Sequence, residues 1–135
     1  MKEVKLSCVR ILIVAIVLGL VAKAIGPKPT EAKIQEKVSE LIDGLVQMRT
    51  GLDLYRAQHR GLLPPVNCRA SFKNAMTKRI GCFGPYIDEI PANPFNGMNT
   101  IRFDGKPAGA NRAGWRLDTK SGLFQADNHP DYAIL

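Results

Sequence analysis

The stretch that decides the fold is VRILIVAIVLGLVAKAIGPKPTEAKIQEKVSELIDGLVQMRTGLDLYRAQH, residues 9–59. Its first half is an apolar run, residues 9–25, interrupted only by Arg10 and Lys23. Gly26-Pro27-Lys28-Pro29 follows. Each proline removes a backbone donor and clashes one turn back, so a kink or short break belongs there. In the second half Ile34, Val38, Leu41, Ile42, Leu45, Met48, Leu52 and Tyr55 recur at steps of three and four. That spacing predicts one apolar face of an α-helix over 31–59. Thr30 is placed to cap it, Glu31 sits at its positive end, and Gly61 with Pro64-Pro65 stops it. Gly51, in mid-helix, costs a little stability.

Working outward, the first ten residues carry Lys2, Lys5 and Arg10, a basic flank that holds an N-terminus on the cytoplasmic side of a membrane. Three readings fit the apolar run. It is a cleaved signal peptide with Ala22-Lys23-Ala24 as the cut, a retained signal anchor, or a pilin-type segment that spans the membrane and later lies inside a filament. The return of helical periodicity after Pro29 favours retention, because a cleaved signal needs no helix downstream. The domain reading is therefore an anchor helix, residues 1–27, and a helical shaft with a small head, residues 28–135.

Past residue 59 the chain is too short to build a large core alone, so the head needs the shaft as one of its layers. Cys68 and Cys82 bracket a short helical pattern, Phe72, Ala75, Met76 and Ile80, that stops at Gly81. If the head lies outside the cytoplasm the two cysteines can bridge, which is worth about 3 kcal/mol for a loop of that size. GPYIDEIPANPFNG, residues 84–97, has too many glycine and proline pivots for a long regular element, and Tyr86, Ile87, Ile90 and Phe95 pin it to the head as a loop. Residues 100–103 read as a short strand. Residues 114–118 and 122–126 flank Thr119-Lys120-Ser121 as a hairpin. Trp115, on a strand beside that hairpin, reads as core.

The net charge is +7. The head's cations are dispersed along the chain rather than blocked, so nucleic acid is not an expected partner. No HExxH, Walker loop, GxSxG or paired CxxC occurs. His59 and His129 lack partners at motif spacing, and Asp88-Glu89 reads as a solvated turn. The expectation is no enzyme, with no catalytic residue and no cofactor.

Taken together, four stretches resemble the major pseudopilins, the pilin-like proteins of bacterial type II secretion. The apolar run ending in Ala24-Ile25-Gly26-Pro27 resembles the first half of a pilin helix and its proline. LYRAQHRGLLPP, residues 54–65, is similar to the family's helix end. GPYIDEIPANPFNG is the most specific match, and AGWRLDTKSGLFQADN, residues 113–128, resembles the closing hairpin. The resemblance implies an α+β, pilin-like fold: a long N-terminal hydrophobic and amphipathic helix packed on a small antiparallel sheet. It implies a non-enzymatic subunit that self-associates into a helical filament and works with the inner membrane and other secretion components. The N-terminus would be cytoplasmic and the head periplasmic. The alternative is an anchored or secreted periplasmic binding module for a ligand or nucleic acid that does not polymerise.

The chain departs from the family at the processing site. A prepilin has a glycine before its apolar run and a glutamate a few residues in. Here no glycine precedes Gly19, and Arg10 stands about where the glutamate would be. The family's major pseudopilins also carry calcium in their closing loops. Asp118, Asp127 and Asp131 are oxygen donors there, but the family's glycine-rich acidic loop is missing, and no metal is assigned.

Overall fold

The computed structural model describes residues 30–135. The anchor assigned to residues 1–27, with its basic flank and Arg10, lies outside the described residues. Helix α1, Glu31–Gln58, is a single element about 42 Å long at ~1.5 Å per residue. The carbonyl of Thr30 accepts from Lys33 N at 2.8 Å to open it. It ends one residue before His59, where Arg60 and Gly61 take positive φ and Gly61 N closes back on Arg56 O at 2.7 Å. No helix among the described residues is long and apolar enough to cross a membrane.

Residues Gln35–Leu135 form one compact unit. After α1 come α2, Arg69–Thr77, and three short strands: β1, Ile101–Arg102; β2, Trp115–Leu117; and β3, Phe124–Ala126. A single 3-10 turn, Pro130–Tyr132, follows. The sheet order is β1-β2-β3. The expected hairpin forms, with Trp115 opposite Ala126 and Leu117 opposite Phe124. The expected all-antiparallel sheet does not. β1 runs parallel to β2, Ile101 beside Trp115. Parallel neighbours need a crossover of about a dozen residues, and the loop 103–114 supplies it.

The core is one cluster drawn from every layer: Leu41, Leu45, Met48 and Leu52 from α1, Phe72 and Met76 from α2, and Ile87, Ile101, Trp115, Leu117, Phe124 and Ala126 from the head. Tyr55 packs on its edge, so Leu52, Tyr55 and Trp115 share one core as expected. Residues 84–97 form a loop in which Ile87 is buried and Tyr86, Ile90 and Phe95 pack against the core. Its backbone is tied to α2, since Met76 O accepts from both Tyr86 N and Ile87 N. The apolar stripe of α1 is narrower than the sequence suggested. Ile34 and Ile42 are exposed, and on the α2 side Ile80 is exposed as well.

Two buried helical glycines set the distance between shaft and head. A Cβ on Gly44 would lie 3.1 Å from Cη2 of Trp115. One on Gly51 would lie 2.6 Å from Cγ2 of Ile87. Gly51 is therefore a contact position and not merely a weak point in the helix. By helix propensity alone, Gly51→Ala stabilises by about 1 kcal/mol. Overpacking against Ile87 costs about 1–3 kcal/mol, and the net is a loss. Urea unfolding should show that loss, and adding Ile87→Leu, which removes the colliding methyl, should recover part of it. A Gly51→Ala protein more stable than the parent would contradict the close contact.

Candidate functional site

The most heavily built polar centre is the buried pair Arg102 and Asp127. Asp127 ends the hairpin directly after β3, and Arg102 ends β1, so the parallel pairing brings them together. Asp127 Oδ1 accepts from Arg102 Nη2 at 2.6 Å and from the backbone N–H of Gly109 and Ala110 at 3.0 and 3.2 Å. Oδ2 accepts from Arg102 Nε at 3.2 Å and from the N–H of Arg112 and Ala113, both at 3.1 Å. Arg102 also forks onto Asp104 through Nη1, at 2.7 and 2.9 Å, and donates to Pro107 O. One wholly buried carboxylate thus gathers the crossover loop around itself.

Burial alone would raise the Asp127 pKa. The hydrogen bonds from Arg102 and from the N–H groups of Ala110 and Arg112 outweigh it, and the net direction is down. Arg102 is held above its ordinary value, chiefly by its hydrogen bond to Asp127. Each Asp127 oxygen accepts three hydrogen bonds from within the chain, so this carboxylate has no free acceptor direction left.

The structure separates the three acids considered for calcium. Asp127 is enclosed as above. Asp118 Oδ1 accepts from Lys120 N at 2.9 Å and Ser121 N at 3.3 Å, closing the hairpin turn, and those N–H bonds lower its pKa. Asp131 is exposed, with Oδ2 3.4 Å from His129 Nδ1. No group of three His, Cys, Asp or Glu residues is arranged for a metal among the described residues.

Cys68 and Cys82, the pair expected to bridge on export, are both exposed free thiols in this structure. Cys68 instead caps α2: its Sγ accepts from Ser71 N at 3.3 Å and lies 3.0 Å from Ser71 Oγ. The Ser71 hydroxyl, then its N–H, hold this thiol below its ordinary pKa. Asp88 and Glu89 are exposed. Trp115 is fully buried and its Nε1 donates to Pro91 O at 2.7 Å, which leaves it no face for a ligand.

Sequence reading missed Asn93, which is buried and fully used. Its Nδ2 donates to Gly114 O and Asn128 Oδ1 at 2.9 and 2.8 Å, and its Oδ1 accepts from Phe95 N at 3.0 Å. The asparagine-rich loop 93–99 was a visible signal, but its partners lie far away in sequence.

His59 belongs to a partly exposed aromatic cluster. Its ring stacks on Tyr55 with centroids 3.9 Å apart, and Phe83 lies 4.9 Å from it. The His59 Nδ1 is 2.8 Å from Tyr55 O, so that nitrogen carries the proton and donates. Tyr86 meets Tyr55 edge-on at 5.2 Å. Comparison of the chain with protein-family models, with curated proteins and with solved structures finds no match.

A depressed carboxylate contributes stability that is fully present above its unfolded pKa, about 3.9, and is lost as pH falls through the folded value. The head should therefore lose stability only below about pH 4 through Asp127. Asp127→Asn should cost about 3–5 kcal/mol at neutral pH, since it leaves Arg102 buried without its counter-charge, and should flatten the acid limb. Unfolding curves between pH 2 and 7 measure both. A variant as stable as the parent at pH 7 would contradict the pair's structural role.

Proposed function

We propose that this chain is a non-enzymatic, pseudopilin-like subunit of a type II secretion filament. In this reading residues 1–27 hold it in the inner membrane with the N-terminus cytoplasmic, the head lies in the periplasm, and copies of the chain assemble alongside other secretion components. The observation that carries the reading is the division of α1. One stripe is consumed by the head's core, while a second row of apolar residues on the same helix stays exposed. A helix that only supported its own head would have polar residues there.

The polar centre supports a non-enzymatic reading too, because Arg102 and Asp127 are spent on holding the crossover loop. The binding-module alternative has two clefts in its favour, one of about 170 Å³ lined by Arg69, Phe72, Lys73, Ile90 and Phe103 among others, and one of about 430 Å³ lined by Arg49, Leu52, Asp53, Arg56 and Phe124 among others. The first is below the ~300–1,000 Å³ of ordinary small-molecule sites; the second is within it, but its Arg49 is already spent on the carbonyls of Phe124 and Leu135.

Electron microscopy of inner membranes from cells overproducing the full chain tests the proposal. Thin filaments that label with antibody to the head are expected. Unpolymerised protein, released and beginning at Ile25, would overturn the filament reading in favour of the binding module.

A further inference from the structure

Two surfaces of the unit Gln35–Leu135 are chemically complementary to each other. The first is a ridge on α1. Val38, Ile42, Val46, Thr50 and Leu54 follow one another at four-residue steps. Such a row is a packing ridge, inclined by roughly 26° to the helix axis, and it is what one helix presses into a groove of another. Ile42, Val46 and Leu54 are 41%, 56% and 50% exposed. Glu36, Glu40, Asp43 and Asp53 on the same helix are exposed as well. The helix's cations in this unit turn elsewhere. Lys37 Nζ sits 5.8 Å from the centre of the Phe95 ring. Arg49 donates to the carbonyls of Phe124 and Leu135, and Arg56 donates to Gly61 O. The ridge is therefore left apolar and acidic.

The second surface surrounds the aromatic cluster. A cleft of about 160 Å³ is lined by Tyr55, His59, Pro65, Ile80, Phe83 and Tyr86, together with Ala75. Ile80 and Phe83 are 59% and 43% exposed there. Exposed Arg60 follows His59 in the chain, and exposed Lys78 and Arg79 precede Ile80. Arg69 and Lys73 line the separate cleft beside Phe72 together with Glu89, so the cations adjoining this patch in the chain are Arg60, Lys78 and Arg79. The two surfaces match in kind: apolar groups for burial in the middle, and opposite charges around them to select partner and register.

We propose that the acidic ridge of α1 in one copy seats on the basic aromatic patch around Phe83 in a second copy. The occupant is a second copy because the same chain carries both halves of the charge match. Since the two halves are different surfaces, the contact is heterologous and repeats without closing, which is the geometry of a fibre. This deepens the filament reading and rests on it for the repetition, but the pairwise contact can be tested separately.

The native thiol of Cys82 adjoins Phe83 and serves as the reporter. Full-length chain carrying Val46→Cys, with Cys8→Ser and Cys68→Ser so that Cys82 is the native thiol left, is treated in reduced membranes with a short bismaleimide. Dimers and higher multiples are expected, absent from the parent and lost when Cys82→Ser is added. Asp43→Lys with Glu40→Lys should lower the cross-linked fraction several-fold, and Lys78→Glu with Arg79→Glu should restore it. Circular dichroism of each variant establishes that it is folded. No ladder from folded protein overturns the proposal. So does a cross-linked dimer that survives Cys82→Ser, which means ridge meets ridge, or a product that is not a multiple of the chain, which means a different partner. Filaments without the ladder sink this contact and leave the filament reading standing. A ladder without filaments does the reverse.

Discussion

Everything in the described residues depends on how closely the head can approach α1. Gly44 and Gly51 lie on the buried side of the helix, and the absence of two side chains lets the Trp115 indole and the Ile87 side chain rest almost on its backbone. Three strands of two or three residues cannot enclose a core by themselves. With α1 as the floor, the same strands bury Trp115, Leu117, Phe124 and Ala126 completely or nearly so. The helix thus supplies four of the twelve residues of the buried core cluster. That use of one stripe also fixes which residues remain outside.

Much of this was legible because the signals are local. The three-and-four spacing from Leu41 to Leu52 gives the long helix, and Thr119-Lys120-Ser121 between two short runs gives the hairpin. The stripe itself was read too broadly. Leu41, Leu45, Met48 and Leu52 form one row, and Ile34, Val38 and Ile42 begin another that crosses it at a shallow angle. A count of apolar spacings merges the two, and only the position of the head separates them. Ile80 continues the spacing of Phe72 and Met76, but the helix ends at Thr77 before reaching it.

What was not legible is the long-range polar chemistry. Asp127 finds Arg102 across 25 positions, and Asn93 finds Gly114 across 21. Neither separation leaves a periodic trace. The parallel pairing of β1 was hidden likewise, since it depends on a crossover loop that Asp127 gathers from within. The closing-loop acids were considered as metal ligands because their density suits a cation. The cation that Asp127 meets is the chain's own arginine, and Asp118 and Asp131 are used elsewhere. In the head, the charge of Arg102, Asp127 and Asp118 is spent on holding loops.

Native-state hydrogen exchange on the full chain tests most directly the claim that shaft and head share one core. Amides of α1 between residues 41 and 52 and those of β2 and β3 should open with one common free energy, because neither layer keeps its burial without the other. Strand amides that exchange freely while the helix stays protected would show a head that opens on its own, and would contradict the account.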